Sequence, residues 1–348
     1  MSSSTIDPLD RLYREAKRNE EYQVRCYRAL TDEIKARKLN PRRFREYDWR
    51  NLVVYYYAEI INFPEESENI YTMLIYMTAS ASMLNVRTVM SVLKAVDQEL
   101  DLTETDFHIE SRSIERLDDN TTLVKVEDLE FKIPQLVAKK LLTVNSDINE
   151  MVKLLLRYQI MGRESGFFWS IDTDLYSRFP SLDKVTQPLF TLECFASPLN
   201  HYLEHYCSAF EADREAYASE GNFFDRVKEL KEPVRFIYNP PYTGRIINES
   251  AKLVIQHMDN YPGSEFIAML PDWADSLGSR LLSAYPNSST VILQAKDFTV
   301  FDYSINKSIL GLKPFILIVN IGGDKSLSNK YCVAAKKRLQ INARALQK

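Results

Sequence analysis

Cysteine is scarce in this chain and badly placed for chemistry. Cys26, Cys194, Cys207 and Cys332 form no close pair and no metal-ligand spacing, which excludes a disulfide framework and the usual zinc motifs. Reduced thiols in an intracellular protein, nuclear or cytoplasmic, are the expectation. Histidine is equally thin: four residues, of which His201 and His205 stand one helical turn apart with no third ligand in view, so no metal is expected. Neither sign of charge prevails. A net charge of −4 over 348 residues argues against a uniformly basic nucleic-acid coat, while leaving room for a local basic groove. No long apolar run is present either. The uncharged stretch Ile70 to Val86 is at the short limit for a membrane span and carries Thr72, Thr78, Ser80, Ser82 and Asn85, so it predicts a buried helix and no membrane. The opening residues, Met1 to Asp7, are polar, so no signal peptide is expected. Internal repeats and low-complexity tracts are missing too.

What is present suits a folded protein of roughly two domains, with 45% hydrophobic and 26% charged residues. Residues 1–150 predict a mostly helical domain. Residues 5–38 are rich in good helix formers, and 50–62 and 68–100 are apolar enough to be packed on most sides. Short strands are expected over 107–114, 121–126 and 129–133, with helices following over 135–142 and 147–158. The stretch Lys35 to Arg50 holds seven basic residues against two acids, with Phe44, Tyr47 and Trp49 interleaved. Basic plus aromatic is what a phosphate-binding, base-stacking surface needs, and Arg42, Arg43 and Arg45 are the candidate RNA contacts. A solvated turn whose aromatics anchor it to the core fits the same residues.

From about Arg157 the pattern alternates between strand and helix, the mark of a layered α/β sheet. Strands are predicted at 189–195, 207–210, 234–238, 266–270, 290–293 and 315–320, and helices near 198–206, 212–231, 245–261 and 273–285. The last two strands can pair antiparallel through 295–314. Residues 151–335 thus predict a Rossmann-like α/β domain of the kind that binds S-adenosyl-L-methionine, followed by a basic tail over 336–348. Ligands of open α/β sheets sit beyond the carboxyl ends of the strands. Glu193-Cys-Phe-Ala-Ser-Pro-Leu-Asn200 runs from a strand end into a helix start there: Ala196 and Ser197 are small, Ser197 suits a cap, and Pro198 suits a first turn. The Gly-x-Gly usual at this place is lacking. Glu211 or Asp213, after the next strand, is a carboxylate able to hold ribose hydroxyls, or a solvent-facing acid. Upstream, Gly166, Phe168 and Trp169 either line a cofactor pocket or belong to the core.

The most informative stretch is Tyr238-Asn-Pro-Pro-Tyr242, which follows an apolar strand. A strand ending in Asn-Pro-Pro-aromatic marks enzymes that methylate an exocyclic amine of adenine or cytosine. The amine lone pair is conjugated into the ring, so the nitrogen is a poor nucleophile. The Asn239 carboxamide oxygen and the Pro240 carbonyl can accept both amine hydrogens and return density to nitrogen. Proline has no N–H and a fixed φ, so Pro240 and Pro241 hold that carbonyl still, and Tyr242 offers the base a stacking face. The same residues would also make an ordinary strand-exit turn.

Taken together, Arg157-Tyr-Gln159, Glu193 to Asn200, Tyr206-Cys-Ser-Ala-Phe210, Asn239 to Tyr242 and Phe266 to Trp273 resemble the cap-specific adenosine-N6 methyltransferase family of the phosphorylated-CTD-interacting factor. They stand in that family's order, over about residues 155–330. The resemblance implies methyl transfer from S-adenosyl-L-methionine to N6 of the cap-adjacent (2'-O-methyl)adenosine of mRNA. It implies that Asn239 to Tyr242 hold the base and that Phe195 to Asn200 belong to the cofactor side; beside it, Glu193, Phe195, Ala196, Ser197 and Asn200, with Gly166, Phe168, Trp169 and Asp213, are the candidate cofactor contacts. Its partner would be capped mRNA or another adenosine-containing RNA. The chain departs from the family in having Tyr242 where Phe is frequent, and in showing no WW domain with paired tryptophans ahead of the core. Action on internal or tail adenosines or on DNA, and a non-catalytic RNA-binding subunit, are the rival readings.

Overall fold

The computed structural model describes residues 8–40, 44–100, 109, 111–118, 120–159, 169–171, 175, 189–273, 275–302 and 307–347. The chain divides into two compact units, one of residues 1–135 with 145–167, the other of residues 136–144 with 168–348. The boundary expected at residue 150 therefore falls inside a helix of the first unit, Ile148–Gln159, while the preceding helix, Gln135–Val144, goes almost wholly with the second.

In the first unit, α1 (Pro8–Ala36), α2 (Glu46–Asn62), α3 (Ser67–Ser82) and α4 (Val86–Glu99) precede a three-stranded antiparallel sheet. Helix α1 buries Leu9, Tyr13 and Ala16, then Cys26, Leu30 and Ile34, a spacing of three and four that keeps them on one side of a 3.6-residue turn. Its outer surface carries Arg11–Glu15 and Arg25–Glu21 pairs one turn apart. The stretch 68–100 is two helices rather than one. Met83 takes a left-handed conformation (φ 62) after α3, and the Asn85 side chain then accepts from Thr88 N–H at 2.8 Å to start α4. Nor is α3 packed on most sides: Ile70, Leu74, Ile75, Thr78, Ala79 and Ser82 are buried, while Met73, Tyr76 and Met77 are exposed. The sheet is β1 (Arg112–Arg116), β2 (Thr121–Val126) and β3 (Leu129–Pro134), with β2 central.

The second unit is built on a five-stranded sheet of β5 (Phe190–Glu193), β6 (Val234–Tyr238), β7 (Glu265–Pro271), β11 (Phe315–Asn320) and β8 (Ser289–Leu293), in that spatial order. β5, β6 and β7 run parallel, and β11 is antiparallel to both β7 and β8. Every residue of β6 and β7 is buried, as expected of parallel strands covered on both faces. The helices of this unit are α5 (Gln135–Val144), α7 (Ala212–Tyr217), α8 (Phe223–Glu229), α9 (Gly244–Asn260), α10 (Leu277–Ala284) and α11 (Lys325–Leu346); α6 (Ile148–Gln159) belongs to the first.

Several boundaries differ from the sequence pattern. Residues 198–206 form turns and not a helix, and the strand expected at 207–210 is reduced to a single bridge between Glu193 and Tyr206. The helix expected over 212–231 is broken between α7 and α8 by Ala218 (φ 56) and Gly221 (φ 82). The connection 295–314 carries β9 (Thr299–Asp302) and β10 (Lys307–Leu310), which with β4 (Trp169–Ile171) make a second antiparallel sheet, order β10-β9-β4. The basic tail is no tail: α11 runs through residue 346 because Cys332, Ala335, Leu339 and Ala343 are buried, the first three in the core under β11. Among the described residues no helix is long and apolar enough to cross a membrane.

Candidate functional site

The site grows from the carboxyl end of β6. Tyr238, fully buried, donates its hydroxyl to the Ile247 carbonyl at 2.9 Å and lies 2.6 Å from Ser250 Oγ, which fastens the strand end to α9. The chain then emerges: Asn239 is half-buried, Pro240 buried, Pro241 and Tyr242 half-buried. Thr243 N–H donates to the Pro241 carbonyl at 2.8 Å, and Thr243 Oγ1 accepts from Ile246 N–H at 3.1 Å as the cap of α9. The Tyr242 hydroxyl donates to Asn239 Oδ1 at 2.9 Å. Its ring meets Phe315 edge-on, centroids 5.2 Å apart and planes at 76°. Phe315 has no sequence cue as a site residue; it reads only as the first position of a core strand.

The end of β5 lies beside this turn. Cys194 N–H donates to the Ile237 carbonyl at 2.9 Å, which brings Cys194 and Phe195 alongside Tyr238, while Ala196 N–H turns to the Cys207 carbonyl. Phe195 and Ala196 are half-buried there. The Phe195 ring packs on Phe223 (4.8 Å) and, edge-on, on Tyr238 (5.9 Å). Ser197 and Asn200, both buried, bond to each other: Ser197 Oγ donates to Asn200 Oδ1 at 2.8 Å and accepts from Leu199 N–H at 3.2 Å. Those bonds close a turn instead of capping a helix, the local alternative these side chains offer the backbone. Glu193, also buried, uses Oε2 to accept from the N–H groups of Tyr202 and Leu203 at 2.9 and 3.1 Å. It ties down the loop that follows.

One residue that sequence reasoning missed sits in this arrangement. Lys140, from α5, donates to the His201 carbonyl at 2.6 Å. Burial pulls its amine down to about 8, against the pull of the Glu193 carboxylate in the other direction. His201 is pushed down to about 4, by burial first and by the Lys140 charge second. Its ring stacks on Tyr206 at 3.8 Å and 12°, and its Nδ1 lies 2.8 Å from the Leu203 carbonyl. His205 turns elsewhere, to Glu220 Oε1 at 2.9 Å. Among the described residues no three His, Cys, Asp or Glu side chains gather as a metal site. All four cysteines are free and buried.

Asp213, in the first turn of α7, has no exposed surface, so a ribose would reach it only after a rearrangement, whereas Glu211 is exposed. Gly166 and Phe168 lie outside the described residues, and Trp169 is described only as backbone, paired with Asp302 in the second sheet. Arg42 and Arg43 also lie outside the described residues; Arg45 is exposed. Phe44 and Trp49 are buried, Trp49 completely, with its Nε1–H donating to the Gln23 carbonyl at 2.9 Å. These two anchor the basic stretch to the core and offer no base a stacking face.

Two comparisons bear on this geometry. A family model described as "Phosphorylated CTD interacting factor 1 WW domain" matches residues 139–301. A human protein, the mRNA (2'-O-methyladenosine-N(6)-)-methyltransferase, is 28% identical over 128 residues, a match covering 35% of this chain and 17% of the human protein's length. The description of the family model includes a WW domain, against the expectation that the chain lacks one. The matched stretch is mainly the α/β unit itself; its tryptophans, Trp169 and Trp273, stand in β4 and just beyond β7.

Proposed function

We propose that the chain is a member of the phosphorylated-CTD-interacting-factor family. Its activity, in this reading, is methylation of RNA at N6 of adenosine, with the cap-adjacent (2'-O-methyl)adenosine of mRNA as substrate and S-adenosyl-L-methionine as methyl donor. The observation that carries this reading is the pairing of two strand ends. The Asn239-Pro-Pro-Tyr242 turn follows the carboxyl end of β6, against which Cys194 and Phe195, just past β5, are held in the parallel part of the sheet. The strand order, with antiparallel β11 between β7 and β8, supports a Rossmann-like methyltransferase fold.

The residues present fit such a donor. Phe195 and Ala196 are half-buried at the edge, between buried neighbours, so a ligand can lie against their backbone, and Ala196 projects only a methyl. Glu211 is the accessible carboxylate for ribose hydroxyls. When bound, the donor supplies a methyl group on a sulfonium, whose carbon–sulfur bond breaks as N6 bonds to carbon. The chain's own part is to orient and activate the amine. Asn239 Oδ1 and the Pro240 carbonyl each accept one amine hydrogen, which keeps the lone pair on nitrogen and aims it out of the ring plane. Tyr242 stacks on the base and excludes water from one face. The proton released from N6 after transfer goes to solvent, since neither acceptor is a base at neutral pH.

Labelled donor and a set of matched oligonucleotides test this: RNA with a 7-methylguanosine cap next to 2'-O-methyladenosine, the same without the cap, the same with unmethylated ribose, and DNA. Label appearing at N6 of the capped RNA at the highest kcat/KM supports the proposal. Equal or better transfer to uncapped RNA or DNA moves the activity to internal adenosines or to DNA. No transfer to any of them, with no heat of donor binding, makes the chain a non-catalytic subunit.

A further inference from the structure

The turn from Asn239 to Thr243 keeps few soft torsions. Pro240 and Pro241 fix two φ angles. Thr243 is held by its N–H on the Pro241 carbonyl and by its cap bond to Ile246. The Tyr242 ring is held edge-on by Phe315, which leans on Phe298 at 5.3 Å. Phe298 in turn is packed closely over Gly311, where a Cβ would fall 2.1 Å from the ring. What remains free to turn is the Asn239 carboxamide, and its terminal torsion is a broad one.

The Tyr242 hydroxyl removes that freedom, donating to Asn239 Oδ1 at 2.9 Å. We infer that Tyr242 is a positioning residue as well as a stacking one: its hydroxyl fixes the carboxamide plane of Asn239 so that Oδ1 faces the incoming adenine amine. The inference rests on the reading of Asn239 as the amine's acceptor. A carboxamide oxygen has two acceptor lone pairs, so hydroxyl and amine can share it. A phenylalanine here would stack equally well and leave the carboxamide to rotate. Half of that rotation would turn Nδ2–H toward the amine, donor against donor. Ordering the acceptor before the base arrives spares the reacting complex that loss of freedom.

The test uses the full chain, the best oligonucleotide from the set above, and the variants Tyr242→Phe and Tyr242→Leu. Tyr242→Phe is expected to lower kcat about tenfold while KM stays within about twofold; Tyr242→Leu, which loses the ring too, raises KM as well. A second readout needs no turnover. The side-chain 15N signal of Asn239, assigned by its disappearance in Asn239→Asp, should have a lower order parameter in Tyr242→Phe than in the wild type. An unchanged kcat in Tyr242→Phe, a loss confined to KM, or an unchanged order parameter overturns the positioning role while leaving an active methyltransferase. A wild type that methylates nothing overturns the proposed function, and this role falls with it.

Discussion

A carboxamide keeps its charge state across the whole physiological range, so Asn239 can activate an amine without a tuned pKa. That places the cost of losing it on transfer and not on folding, because the side chain is half-buried and its hydroxyl partner can turn to water. Asn239→Ala is expected to cut single-turnover methyl transfer by about a hundredfold or more, with the melting temperature unchanged; wild-type turnover would remove the residue from the mechanism. His201 makes a different prediction, one about stability. Its folded pKa of about 4 lies below the ordinary 6.5, because burial and the nearby Lys140 charge disfavour the imidazolium, with Glu193 the neighbouring carboxylate in this cluster. The unfolded chain therefore binds the proton more readily. Stability from this site is fully present above about pH 6.5 and is lost as pH falls toward 4. Melting curves from pH 7 to 4 should drop more steeply for the wild type than for His201→Gln; parallel curves would show that the ring is not buried in solution.

Among the strands, the sharpest demand is made by Arg235 and Glu265, which face each other across β6 and β7. Both are 1% exposed, and Arg235 Nε lies 2.7 Å from Glu265 Oε2. Neither charge is tolerable alone inside a sheet. Glu265→Ala should therefore cost about 3–5 kcal/mol in urea unfolding, while the double change Arg235→Met, Glu265→Leu should recover most of it. Additive losses in the double variant would contradict mutual compensation within the pair. The element scale is also where local patterning fell short. β6, β7 and β11 were legible because short runs that are apolar at nearly every position, Arg235 and Glu265 being the charged exceptions, are what a sheet covered on both faces requires. Residues 198–206 were not, because Ser197, which suits a cap, bonds instead to Asn200 and closes a turn.

At the scale of the molecule the charge is nearly balanced, so the proposed RNA binding has to rest on a local cluster. Within Lys35 to Arg50, pairing has already claimed part of it: Lys35 with Asp32, Arg37 with Glu33, Arg50 with Glu46. The burial of Phe44 and Trp49 removes both as stacking faces, so the proposed RNA binding would draw from this stretch only phosphate contacts by Arg42, Arg43 and Arg45. Replacing all three by alanine should weaken binding of single-stranded RNA equally for all sequences. It should also flatten the plot of log K against log salt by about 0.7 for each phosphate that is no longer neutralised. An unchanged slope would clear this stretch of any part in binding.

Sequence alone determined the α/β alternation of the second half and the Asn239 to Tyr242 turn, and it carries the resemblance on which the proposed chemistry and substrate rest. Those are local facts: a period of apolar residues, a pair of prolines that fixes the backbone, a carboxamide next to an aromatic. Only the tertiary structure decided that β5 ends beside that turn, that Tyr242 reaches back to Asn239 with Phe315 behind it, and that Lys140 buries its amine against the loop at His201. Apart from the Tyr242–Asn239 bond, which lies within one turn, these join residues from separate elements, most of them far apart in the chain. Their meeting is set by strand order and burial, which no window of sequence contains.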